Sequence, residues 1–335
     1  MKKSGKTVQA LLLVMLLFVF ASLLASCSGG KQTTAAEGAQ EDGQPKLEPV
    51  KYAALGGLSG LAVRFGAEKG FFAEEGVDIQ FVELTDQVAG LSSGDVDIAD
   101  MPTTTAIIGA GKGAPLKIVS SMFRTKGPFY LIGQPEIETI ADLKGKKVGV
   151  GRFGTGLDVY TRYILKQNGV EPDDVTFIAN GTMNEAFASL ESKQVDATII
   201  HEPFVSLSEK NGKAKLLAKG WDYLPTFHTG VLSARNEFID KHPDLVEKTL
   251  RAYFKSQDYA KSNLDEYLDY VVQHMKIDRD VLVKAFEREE PIWENNPDVD
   301  ADALKDTQDI QFELGFQDQI YDISKIVDLR FIPKK

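Results

Sequence analysis

The 335-residue chain has one cysteine, Cys27. A single cysteine excludes an internal disulfide. With none after position 27, the folded part has no thiolate chemistry and no cysteine-ligated metal. Positive charge is also scarce: 38 Lys and Arg stand against 49 Asp and Glu, a net charge of −11. Three lysines and no acid precede Cys27, which leaves −14 from Cys27 onward. That balance opposes nucleic acid, which requires a basic face. It equally disfavours adsorption to anionic lipid. Beyond residue 24 no apolar run is long enough to span a bilayer. The chain lacks a Gly-x-Ser-x-Gly elbow, a phosphate-binding Lys loop and a His-Glu-x-x-His pair. What remains is 43% hydrophobic and 26% charged, an ordinary globular composition whose length points to two domains.

The apolar segment stands at the N-terminus. Lys2, Lys3 and Lys6 lead into an uncharged, nearly all apolar run, Ala10 to Leu24, which closes with Leu24-Ala25-Ser26-Cys27. A positive start, a short apolar core and small closing residues describe a secretory signal over residues 1–26. The run is shorter than the about 20 residues of a membrane span. Leu-Ala-Ser-Cys resembles a bacterial lipobox, which implies cleavage before Cys27 and lipid on its sulfur. The expected location is extracytoplasmic, with membrane attachment through that lipid alone. Residues 28–49 are small and polar, so 27–49 reads as a lipidated flexible tether.

From Val50 short strands alternate with helices, which implies parallel sheets with crossover helices. The first strand runs into Gly56-Gly57-Leu58-Ser59-Gly60, and Val77 to Val82 alternates as the second. A polar helix covers 86–93. Val96-Asp97-Ile98-Ala99 reads as the third strand, followed by Pro102-Thr103-Thr104-Thr105. The same order then returns. Lys147 to Val150 leads into Gly151-Arg152-Phe153-Gly154-Thr155-Gly156, and a helix spans Leu157 to Asn168. Val175 to Ile178 is a strand, and Val195-Asp196 opens another that leads to His201-Glu202-Pro203-Phe204. Leu91-Ser92-Ser93-Gly94-Asp95-Val96-Asp97 answers Leu190-Glu191-Ser192-Lys193-Gln194-Val195-Asp196. The predicted fold class is therefore α/β, with two similar lobes of mainly parallel sheet joined by a hinge. The C-terminal region is helical, over 243–263, 264–275 and 280–289.

Several of these stretches together resemble the solute-binding lipoproteins of ABC importers, in the branch of nitrate, sulfonate, taurine and thiamine-pyrimidine binders. They are Gly70-Phe71-Phe72-Ala73-Glu74-Glu75-Gly76-Val77-Asp78-Ile79, Ser93 to Asp97, Asp142 to Gly149, Gln194 to Ala197 and Glu202-Pro203-Phe204. The resemblance implies a type II periplasmic-binding-protein architecture. Lobe 1 is expected at 50–130 plus 232–335 and lobe 2 at 131–231, with ligand closed between them. It further implies a monomer that captures a small organic or anionic solute and hands it to a permease with its ATPase. No enzymatic activity, cofactor or metal is expected. A fungal pyrimidine synthase of the same fold carries a cysteine-rich iron-binding stretch that this chain lacks. A ligand-sensing or adhesion lipoprotein is the alternative reading.

Ligands of parallel α/β sheets bind beyond the carboxyl ends of strands. That rule selects Gly57 and Ser59 after the first strand, and the hydroxyls of Thr103 and Thr104 after the third. In the second lobe it selects Phe153, Gly154, Thr155 and Gly156, at a helix start whose N–H groups suit an anion. Asp158 in the first turn of that helix argues against a strongly anionic ligand. His201, Glu202 and Phe204 complete the set, offering a ring, a carboxylate and an aromatic face that suit a heterocycle.

Overall fold

A computed structural model describes residues 47–181 and 183–334. The signal segment, Cys27 and most of the tether fall outside them. The first unit runs β1 (Glu48–Ala53), α1 (Leu58–Glu68), α2 (Phe71–Glu74), β2 (Val77–Phe81), α3 (Gln87–Ser93), β3 (Ile98–Pro102), α4 (Thr103–Gly111) and β4 (Leu116–Ser121). The second runs β5 (Tyr130–Gly133), β6 (Lys147–Gly149), α5 (Gly156–Gln167), β7 (Thr176–Ile178), α6 (Asn184–Glu191), β8 (Ala197–Ile200), α7 (Phe204–Lys210), β9 (Lys215–Lys219) and α8 (Gly220–Tyr223). The chain returns through β10 (Gly230–Arg235) and finishes in α9 (Asn236–Lys241), α10 (Pro243–Ser262), α11 (Leu264–Met275), α12 (Arg279–Glu289) and α13 (Ala301–Glu313).

Two five-stranded sheets result, ordered β2-β1-β3-β10-β4 and β7-β6-β8-β5-β9. In each, the first strand pairs in parallel with the second and third, and one antiparallel strand sits between the third and the last. β5 is the strand by which the chain enters the second lobe, and β10 is the strand by which it returns to the first. The expected mainly parallel, duplicated architecture is present. Both faces of each sheet are covered, so strand residues alternate between two apolar layers. Ile98 joins the layer beneath α1 and α10, with Val63 and Val246, whereas Ala99 and Met101 join Leu91 and Ile107. In the second lobe Leu131 packs with Val148 and Ile164, and its neighbours Tyr130 and Ile132 pack with Leu190 and Val205.

The repeated Val-Asp has the same task in both lobes, but it lies just ahead of the strand rather than inside it. The Asp97 N–H donates to the Lys51 carbonyl at 2.8 Å, and its carboxylate accepts the Lys51 amide at 3.0 Å. Asp196 makes the equivalent pair with Lys147, both at 2.8 Å. Each aspartate thus satisfies backbone groups of its lobe's first parallel strand, at Lys51 within β1 and at Lys147 opening β6, and pairing with the third strand begins one residue later.

β4, β9 and α13 have no counterpart in the sequence reading. α13 is capped by the Asp300 carboxylate, which accepts the amides of Asp302 and Ala303 at 2.9 and 3.1 Å. Its Leu304 enters the first lobe's core, while Ile310 and the following Leu314 and Phe316 pack against the second lobe's core. The C-terminal segment therefore touches both lobes.

Candidate ligand-binding site

The loops beyond the carboxyl ends of the two sheets face one another. In the first lobe the chain leaves β1 through Gly56 and Gly57. Gly57 has φ 65°, a left-handed conformation that glycine adopts without steric cost. A Cβ at this position would overlap the terminal methyl of Met183, which follows β7 of the second lobe. The Met183 side chain thus reaches the Gly57 backbone across the two lobes. One residue beyond α1's start, the Ser59 hydroxyl accepts from Arg124 at 2.6 Å. Arg124 follows β4 and pairs with Glu289 at the end of α12; both side chains are buried.

Beneath this loop lies Asp100. Its carboxylate accepts from the Tyr52 hydroxyl and the Leu55 amide, while its second oxygen has no partner among the described residues. Burial pushes its pKa up to about 7, against the pull of those two donors.

In the second lobe, Gly156 opens α5 beside the Phe129 ring. The helix start is already filled. The Gly154 N–H donates to the Asp158 carboxylate at 3.0 Å, and Asp158, fully buried, pairs with Arg162 at 2.7 Å. Thr155 turns its hydroxyl back to the Arg152 carbonyl at 2.7 Å instead of capping the helix. Phe153 is 56% exposed at the loop tip. The His201 ring packs edge-on against Phe129 at 4.9 Å and donates to the Pro128 carbonyl. Burial, helped by the Arg124 charge, pushes its pKa down to about 3. It is neutral at physiological pH, so its other ring nitrogen is an acceptor.

Other sequence-selected residues have internal roles. Glu202 is not a free acceptor. It caps the first turn of α7 by accepting the Ser206 amide at 3.0 Å and hydroxyl at 2.9 Å, and it pairs with Arg288. Burial pushes its carboxyl up, opposed by those partners. Phe204 is buried in the second lobe's core against Phe187, with ring centroids 5.2 Å apart, and presents no face to the loops. Thr103 is buried with its hydroxyl 2.9 Å from His228 Nδ1. His228 Nε2 lies 3.3 Å from the Ser121 hydroxyl, and its amide donates to Thr307 at 2.8 Å. His228 therefore ties the returning strand to β4 and α13, and burial pushes its pKa down to about 4. Thr104 is buried, and its hydroxyl has no partner among the described residues.

The loops thus gather Gly57, Ser59, Arg124, Phe129, Met183 and His201. Sequence reasoning missed Arg124, Phe129 and Met183. Only Phe129 carried a signal, an aromatic at the crossing between sheets. Among the described residues no three His, Cys, Asp or Glu side chains are placed to hold a metal.

Two duplicated α/β lobes that meet through the loops at their strand ends define a two-lobed binding-protein fold. The chain belongs to the family described as NMT1/THI5 like, which matches residues 61–266. It is 30% identical over 332 residues to a protein of Bacillus subtilis (strain 168) named as binding aliphatic sulfonates, covering 96% of each. It is 32% identical over 244 residues to the 4-amino-5-hydroxymethyl-2-methylpyrimidine phosphate synthase THI11 of Saccharomyces cerevisiae, covering 66% of this chain and 69% of that one. In fold it matches the ligand-binding component of an ABC-type import system from Staphylococcus aureus, with TM-score 0.71, 19% identity and coverage of 85% and 97%.

Proposed function

We propose that this protein is the extracytoplasmic substrate-binding component of an ABC importer. It captures a small organic or anionic solute between its lobes and delivers it unaltered to a permease. The observation that carries this reading is the approach of Gly57 to Met183 across two sheets of identical strand order. Loops at strand ends enclose a solute when such lobes close, and hinge closure creates a surface that a transporter can recognise. The relative named for aliphatic sulfonates, aligned over nearly the whole chain, supports an importer ligand. The relative named as a pyrimidine phosphate synthase keeps heterocycles among the candidates. The proposed role is binding without turnover, by a monomer. The membrane anchor is lipid on Cys27, a residue outside those the structure describes.

The test is a thermal-shift screen with alkanesulfonates, aminopyrimidines, nitrate, bicarbonate and flavins. A ligand that binds only the folded state adds about 2.7 kcal/mol of stability at a hundredfold excess over Kd. One chemical class should raise the melting temperature, and Ser59→Ala and His201→Ala should each reduce that rise. A hit that both variants bind normally places the pocket elsewhere.

A further inference from the structure

α12 is fastened to the first lobe and reaches across to the second. Its Leu282, Ala285 and Phe286 belong to the first lobe's core, and its last residue, Glu289, pairs with Arg124. Residues four apart on a helix share a face. Asp280, Lys284 and Arg288 form such a stripe, and all three meet α7 or the residue that caps it. Asp280 and the preceding Asp278 accept from Lys210 at 2.9 and 2.8 Å. Lys284 pairs with Glu209 at 2.6 Å. Arg288 pairs with Glu209 at 2.7 Å and with the fully buried Glu202, and its guanidinium lies 5.8 Å from the Tyr130 ring of β5. The apolar residues of α7, Phe204, Val205 and Leu207, stay with the second lobe's core. The seam between the helices is therefore carried by alternating charges, while each helix keeps its apolar side chains in its own lobe.

Charged surfaces part in water at small net cost, because each ion recovers its hydration; a dry apolar seam would not. We propose that the α7–α12 seam is a reversible latch on lobe closure, with Arg288 as its positioning residue, and that it favours the closed arrangement whether or not ligand is bound. The contacts come entirely from the protein's own side chains, so they act without ligand. The buried Arg288–Glu202 pair sets direction, since a helix carrying both Glu289 and Arg288 at its end holds Arg124 on one side and Glu202 on the other. The exposed pairs set the salt response, because they are screened within a Debye length of about 3 Å at 1 M salt.

The test uses spin labels at Ser93→Cys and Ser192→Cys, exposed and equivalent positions on the two lobes, in the full chain with Cys27→Ser and no added ligand. Distance distributions are compared for this parent, for Arg288→Met and for Lys210→Ala/Lys284→Ala. The latch predicts a longer interlobe distance in both variants. It also predicts an open-to-closed ratio raised about tenfold in Arg288→Met and a partial shift of the parent in 1 M salt. Distributions that match the parent in low salt for both variants overturn the proposal. If Arg288→Met does not fold, the double variant decides alone, because its lysines are solvent-exposed. Ligand is absent throughout, so a negative result here leaves the binding function standing, and a failed ligand screen leaves the latch standing.

Discussion

The Asp196 carboxylate accepts the amide of Lys147 at 2.8 Å, and this bond closes the open start of the second lobe's first strand. Asp97 and Lys51 repeat it in the first lobe at 3.0 Å. Asp97 also pairs with Arg235 of β10 at 2.6 Å, which ties the antiparallel strand to the same point. A hydrogen bond to a charged acceptor contributes about 1.5–3 kcal/mol. Asp196→Ala should therefore lower the unfolding free energy by about that amount, read from urea midpoints. Asp97→Ala should cost more, because it also releases Arg235. Equal losses would show that the Arg235 pair contributes nothing.

Asp100 should make stability depend on pH. Its folded pKa, about 7, lies above the 3.8 of a free carboxyl. Between these values the folded state holds a proton that the unfolded chain has lost, so stability falls as pH rises through that window. The full loss is on the order of 4 kcal/mol. Asp100→Asn keeps an oxygen for Tyr52 and removes the titration. Its melting temperature should match the parent near pH 4 and exceed it at pH 8. A difference that is constant with pH would remove Asp100 as the cause.

His228 should act in the opposite direction. Burial holds its folded pKa at about 4, below the 6.5 of a free imidazole. As pH falls from 6.5 towards 4 the unfolded chain takes up a proton that the folded chain refuses, and about 3 kcal/mol of stability is lost. His228→Gln should flatten this acid limb in urea titrations at pH 7 and pH 4.5. An unchanged slope would mean that other groups govern it.

Cys27→Ser should move the protein from the membrane fraction to the soluble fraction of a bacterial host and leave ligand binding intact. Retention in the membrane would contradict lipid attachment at that residue.

The repeat was legible in the sequence because Val-Asp recurs at the same place in the same order of elements, and backbone satisfaction demands the same residue type twice. α13 was not legible. The face it buries carries Thr307, Gln308 and Gln311 beside Leu304, so no apolar stripe marks it. Gly57, Ser59 and His201 were legible as residues just beyond strand ends, and the structure places them there. Glu202 resembled a ligand group because its partner, Arg288, lies 86 residues away, and no local pattern shows a pairing at that separation. Phe204 was misassigned for a related reason: an aromatic just past a strand end can face the loops or the core, and only packing against Phe187 decides.

The most direct test of the account is calorimetric titration of the full chain with the compound that gives the largest thermal shift, followed by chemical analysis of the compound released on denaturation. The account predicts one molecule bound per chain, recovered unchanged, with affinity reduced at least about tenfold in His201→Ala. A compound recovered chemically altered, or bound equally well by His201→Ala and Ser59→Ala, would contradict it.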